Sequence, residues 1–146
     1  MYYYSIFHED IDKEINLSNC KNNLIDIVFG LGLPPILKVF QQYRVIMKNI
    51  GECRIDIFVV HENYTTSIFE VKNTNHLKYP SQTISVQWKA IGQILEYIEL
   101  FKAIHDIRPR AFLVDTKIHW LTYSIVKKWN FPISLIEIQN DVVFAP

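Results

Sequence analysis

Residues 65–115 constrain the fold more than any other part of the chain. The middle of this stretch, residues 84–105, carries Val86, Ala90, Ile91, Ile94, Leu95, Ile98, Phe101 and Ile104 on one helical stripe. Runs of strand composition lie on either side, at residues 65–72 and 111–115. Two strands of one sheet joined through a helix run parallel, because only a long crossover brings the chain back to the same end of the sheet. The expectation is therefore an α/β protein with a partly parallel sheet.

The flanking pattern fills in the rest. Residues 36–48 and 54–60 read as strands, and the link His61-Glu62-Asn63-Tyr64 is the size of a hairpin loop. A polar loop is expected from Asn73 to about Thr83. Downstream, residues 119–129 read as an amphipathic helix and 134–138 as a strand. A further short strand is expected at 142–144, after the Asn140-Asp141 turn signal. Upstream, residues 9–29 read as a helix ended by Gly30, Gly32 and Pro34-Pro35. The expected order is αβββαβαβ(β), a mixed central sheet flanked by helices. The long helix covers one face and the N-terminal helix packs beside it.

A length of 146 residues fits one domain, and 49% apolar residues suffice to fill its core. No apolar run reaches the roughly 18 residues of a membrane helix. Met1 to Phe7 lacks a basic stretch and meets His8-Glu9-Asp10 at once, which reads as no export signal and a cytoplasmic location. Cys20 and Cys53 match no zinc or redox spacing and read as reduced, buried thiols. Lysine plus arginine and aspartate plus glutamate both total 15, which argues against nucleic-acid binding by bulk charge. The distribution is uneven: residues 1–30 hold five acids and two bases, residues 38–89 seven bases and four acids.

The chemistry concentrates in residues 54–72. Glu70 and Lys72 share one face of their strand, because side chains alternate. If His61 pairs with Thr65 across a three-residue loop, Asp56 stands opposite Glu70, with β-carbons about 5 Å apart. Two carboxylates that close repel unless a cation lies between them, and hard oxygen donors suit magnesium or manganese. Lys72 beside them can hold or deprotonate a water, and phosphodiester hydrolysis needs those parts. Glu-x-Lys alone is common and more often forms an exposed ion pair. Here both residues end an apolar strand (Ile68-Phe69-Glu70-Val71-Lys72), and Asp56 interrupts the apolar run of residues 55–60 at a cost in stability. Gln93 and Tyr97, four apart, add a polar pair on one face of the long helix. Gly92 beside them is expected to admit a second backbone, at a helix cost near 1 kcal/mol.

These motifs, in this order, resemble the PD-(D/E)XK nuclease superfamily and most closely its branch with a Gln-x-x-x-Tyr motif, as in RecB-type and NucS-type nuclease domains. The matching runs are Gly51-Glu-Cys-Arg-Ile-Asp56, Ile68-Phe-Glu70-Val-Lys72 and Ala90-Ile-Gly-Gln93-Ile-Leu-Glu-Tyr97. The resemblance covers roughly residues 9–115 and implies a restriction-endonuclease-like αβββαβ core, with residues 116–146 as an α/β extension of the same single domain. It implies that Asp56 and Glu70 bind Mg²⁺ or Mn²⁺, with the Val71 carbonyl completing the site. Glu14, or Glu9 in its place, would add a ligand from the first helix. Lys72 would position or activate the attacking water, Gln93 would orient Lys72 or the scissile phosphate, and Tyr97 would support the site or contact the nucleic-acid backbone. Ile55 stands where the superfamily name has proline, a position that varies widely in this fold.

Of the five histidines none is spaced as a metal pair, but His76 and Lys78 follow the Glu-x-Lys strand and could meet phosphate. Lys89 is a further candidate phosphate contact. Trp88 could stack a base but reads first as packing, Lys127-Lys128 reads as a solvated helix face, and Ser124 lacks the context of a hydrolase nucleophile. No glycine-rich phosphate loop appears, so no nucleotide cofactor is implied. The expected function is metal-dependent endonucleolytic cleavage of DNA. A homodimer, or a specificity or helicase partner in trans, would supply selectivity. The alternative is an inactive nucleic-acid-binding or assembly module of the same fold.

Overall fold

In the computed structural model, the residues described are 27–47 and 51–137. They form β1 (Ile36–Met47), β2 (Gly51–His61), β3 (Thr66–Val71), α1 (Pro80–His105), β4 (Arg110–Asp115), α2 (Trp120–Lys128) and β5 (Ser134–Glu137), with residues 27–30 helical. The strand expected at 142–144, Cys20, Glu9, Glu14 and most of the first helix lie outside the described residues.

The five strands make one sheet in the order β1-β2-β3-β4-β5. The first three are antiparallel; β3–β4 and β4–β5 are parallel, joined through α1 and α2. The α/β class and the partly parallel sheet are those expected. The residues after Asp115 do not leave this sheet: β5 pairs with β4 from Phe112–Ser134 to Asp115–Glu137. Both crossovers step the same way along the sheet, so a shared hand puts both helices on one face. Ala90, Ile91, Ile94 and Ile98 of α1 pack there on Ala111 and Leu113, with Ile125 and Val126 of α2 alongside.

One expectation is corrected. Val28 packs on Ile57, Val59, Phe69, Phe112 and Val114, the side chains that alternate away from α1. The 27–30 segment therefore covers the opposite face of the sheet instead of lying beside the long helix. With apolar residues on both faces of β2, β3 and β4, the sheet needs a cover on each side.

The hairpin loop is the three-residue type: the His61 amide donates to the Thr65 carbonyl at 2.8 Å, and Tyr64 takes the left-handed conformation (φ 65°) that closes such loops. His61 is buried. Its Nδ1 lies 2.7 Å from the Pro34 carbonyl and its Nε2 2.7 Å from the Ser67 hydroxyl. A carbonyl only accepts, so Nδ1 carries the proton and Nε2 accepts from Ser67. Burial lowers the pKa of His61, in keeping with this neutral form.

Helix α1 begins earlier than its apolar stripe. Pro80 occupies the first helical position, and Gln82 reaches back to accept from the Tyr79 amide at 3.2 Å. The helix ends at Asp106, in the left-handed conformation (φ 53°), whose amide donates to the Lys102 carbonyl. Gly92 faces open space: a β-carbon there would meet nothing within 4 Å. The close backbone approach expected at Gly92 is absent among the described residues.

A buried polar knot locks the ends of β3 and β4 together. Asp115 is fully buried, and its carboxylate accepts from the Thr74 amide (3.1 Å) and hydroxyl (2.9 Å), the Gln87 side-chain amide (2.9 Å) and the Thr116 amide (2.7 Å). Gln87 in turn accepts from the His119 amide and the Thr122 hydroxyl and donates to the Lys117 carbonyl. One carboxylate thus ties the loop after β3 to both helices. Among the described residues no helix is long and apolar enough to cross a membrane.

Two outcomes follow from this packing. Gly92→Ala is expected to stabilise the protein by about 0.5–1 kcal/mol, since an exposed helical glycine costs that much and nothing blocks a methyl; thermal unfolding should rise by roughly 2–4 °C. Asp115→Ala is expected to cost about 3–5 kcal/mol, read as a lower urea midpoint, because it strands several buried donors at once.

Candidate active site

The site forms where β2 and β3 part. Their pairing keeps one register from Val60–Thr66 to Ile57–Phe69 and then stops. Continuing that register places Asp56 opposite Glu70, as the loop arithmetic requires. The next ladder bond would join Val71 to Ile55. Instead the Val71 amide donates to Oδ2 of Asp56 at 2.9 Å, so a side chain substitutes for the strand. The carbonyl of Arg54 accepts from the Tyr97 hydroxyl at 2.8 Å. Asp56 and Tyr97 thus satisfy backbone groups at the point where the strands separate.

Glu70 is 2% exposed, and Lys72 Nζ lies 3.3 Å from its Oε2. Its other oxygen, Oε1, is buried with no hydrogen-bond partner. Burial, and then the neighbouring Asp56 carboxylate, push the Glu70 pKa from its ordinary value of 4.5 up to about 8; Lys72 pulls the other way without winning. The same surroundings act on their neighbours. Burial first, and then the Glu70 carboxylate, push the Tyr97 hydroxyl up. Burial and the Glu96, Glu52 and Glu70 carboxylates push the Cys53 thiol up to about 12, so this free, half-buried cysteine stays protonated.

Asp56, Glu70 and Lys72 are thus brought together. Gln93 and Tyr97 lie one turn apart on α1, the Gln93 Oε1 atom buried and without a partner. Tyr97 is 4% exposed with its hydroxyl already donated, which leaves it the supporting role of the two the resemblance implies. His76 and Lys89 are exposed. Lys78 lines a separate cleft of about 240 Å³ beside the ends of β3 and β4, with Thr74, Asn75, Lys117 and His119. Trp88, expected to be packed, is 44% exposed. Glu14 lies outside the described residues.

The donor set suits a hard divalent cation. Two carboxylates face each other, and one oxygen of the buried Glu70 is left without a hydrogen-bond donor. Among the described residues no group of three or more His, Cys, Asp or Glu side chains gathers to hold such an ion, so Asp56 and Glu70 are the acidic donors in view.

The sequence reading missed Gln42. Its side-chain amide donates to Oδ1 of Asp56 at 3.2 Å, and its backbone is left-handed (φ 54°). A glutamine in a strand carries no local signal of that kind. The Asp115 knot was missed too, although Asp115 ends an apolar strand just as Glu70 does.

No protein-family model matches the chain, and no curated protein matches it. Solved structures do. The chain aligns with a repair endonuclease from Pyrococcus abyssi at TM-score 0.47 and 11% identity, over 81% of this chain and 46% of that one. An EndoMS complex with double-stranded DNA aligns at TM-score 0.48 and 12% identity, over 82% and 45%. Protein VC1899 from Vibrio cholerae aligns at TM-score 0.46 and 13% identity, over 81% and 28%. The chain spans less than half the length of each.

The raised Glu70 pKa carries a stability consequence. A carboxyl whose folded pKa lies above its unfolded value favours the fold fully below about pH 4.5 and loses that contribution as pH climbs towards 8. In metal-free buffer the wild type should therefore lose stability across this window. Glu70→Gln should flatten the profile and be more stable at pH 8 by on the order of 2–4 kcal/mol. Urea unfolding at pH 5 and pH 8 checks both.

Proposed function

We propose that this chain is a metal-dependent nuclease that hydrolyses phosphodiester bonds in DNA. The observation that carries the reading is the buried, unpartnered Glu70 Oε1 beside Asp56, with Lys72 on the adjoining oxygen. A carboxylate held at that cost in stability has a use elsewhere.

Asp56 and Glu70 would hold Mg²⁺ or Mn²⁺, with the Val71 carbonyl and a first-helix acid, Glu14, as further donors. Such an ion, when bound, supplies Lewis acidity to a phosphate oxygen and to the attacking water. Lys72 does the work of a mobile cation: its ammonium orients a water and steadies charge building on the phosphoryl oxygens. Gln93 offers a free carbonyl oxygen to the Lys72 ammonium or to that water. Tyr97 holds β2 by its Arg54 carbonyl, so that Asp56 does not drift from Glu70. His76, Lys78 and Lys89 are proposed as phosphate contacts. With net charge zero these give weak intrinsic affinity. A second copy of the chain, or a specificity or helicase partner, would then supply the rest of the binding energy and the selectivity.

Purified protein incubated with circular and linear, single- and double-stranded DNA tests this. Cutting is expected only with Mg²⁺ or Mn²⁺ and is expected to fall at least about 100-fold in Glu70→Ala and in Lys72→Ala. Mn²⁺ at a hundred times its dissociation constant should also stabilise the wild type by about 2.7 kcal/mol, and Glu70→Ala by far less. Absence of both metal binding and cutting would point to the inactive binding module.

A further inference from the structure

The β1–β2 ladder skips one pair. Partners run from Gln41–Ile57 to Tyr43–Ile55, with Gln42 and Asp56 unpaired between them. Both strands turn over at this step. Ile57 and Val59 pack on the Val28 side of the sheet, yet Ile55, two residues on, packs with Tyr43, Val45, Phe58 and Tyr97 on the α1 side. Regular alternation would have kept Ile55 with Ile57. Gln42 sits at the turnover in the left-handed region (φ 54°), where a residue with a side chain is disfavoured and persists only if its surroundings demand it.

The same residue donates its side-chain amide to Oδ1 of Asp56, while the Val71 amide holds Oδ2. The Asp56 carboxylate is thus clamped at both oxygens, from β1 on one side and β3 on the other. Each oxygen keeps a further lone pair for an incoming ion. Glu70 has no such clamp on Oε1. Glu70 is held instead by burial and by Lys72 on its Oε2.

We propose that Gln42 is a positioning residue for Asp56: its left-handed backbone turns β1 over at the site, and its amide fixes the carboxylate that Val71 holds from the other side. This inference rests on the nuclease reading only for its consequence in metal affinity. The clamp itself is a property of the metal-free protein.

Gln42→Gly separates the backbone from the side chain, since glycine accepts φ 54° freely and removes only the amide. Two readouts are taken. In metal-free buffer, hydrogen exchange at the Val71 amide is expected to speed up about tenfold, because its acceptor is no longer held, while the Phe69 and Ser67 amides are unchanged. With Mn²⁺, titration calorimetry is expected to show affinity about tenfold weaker, as for loss of an outer hydrogen bond to a ligand. The melting temperature should hold or rise. Gln42→Ala should match Gln42→Gly in both readouts and melt lower, since alanine retains the strain. The proposal is overturned if Val71 exchange is that of the wild type. It is equally overturned if the whole β2–β3 ladder loses protection together, which would make Gln42 a sheet residue. A wild type that binds no Mn²⁺ would sink the nuclease reading instead, and the Val71 exchange would still decide the role of Gln42.

Discussion

Two carboxylates brought face to face across a parted hairpin set the terms for the rest of this molecule. Glu70 gives up most of its hydration and gains Asp56 as a neighbour, and a single lysine only partly offsets both. Burial and like charge push in the same direction, so the group rests well above its ordinary pKa. A sheet left to itself would relax by closing the ladder over this point or by letting the side chains swing to water. Neither happens, because the freed backbone groups have found other partners. The Val71 amide rests on Asp56 and the Arg54 carbonyl on Tyr97. Two of the backbone groups at the break, the Val71 amide and the Arg54 carbonyl, are thus held by side chains.

Stiffness around the site comes from the surrounding polar knots. Asp115 ties Thr74, two residues beyond Lys72, to β4 and α1, and the Lys72 amide itself donates to the Val114 carbonyl. At the other end of the hairpin, His61 joins the segment before β1 to Ser67. These fully satisfied networks contrast with the unsatisfied atoms of Glu70 and Gln93. The buried Asp115 carboxylate is paired on both oxygens, whereas Glu70 has Lys72 on one oxygen and the like charge of Asp56 beside it.

Legibility followed the range of the interaction. The Asp56–Glu70 register could be read from the sequence because a three-residue loop and strict alternation determine it within some fifteen residues. The long helix and its flanking strands could be read because periodicity is local. Gln42 could not, since its role depends on β1 arriving beside Asp56 with an irregular backbone, and neither neighbour in sequence announces it. The face chosen by Val28 and the open space around Gly92 were also out of reach. Each depends on what lies across a gap, and a glycine looks the same in a sequence whether it admits a backbone or faces solvent.

The sequence by itself determined the α/β class and the parallel crossover through a helix read at 84–105 and, given a three-residue hairpin loop, the convergence of Asp56, Glu70 and Lys72. The first two rest on periodicity, the third on a short hairpin loop and the alternation of side chains along a strand. Only the tertiary structure decided that Glu70 is buried with an oxygen to spare, that Asp56 is clamped from both sides, and that the 27–30 segment covers the face away from α1. Burial and partner choice belong to surfaces assembled from distant segments, and local patterning carries no record of them.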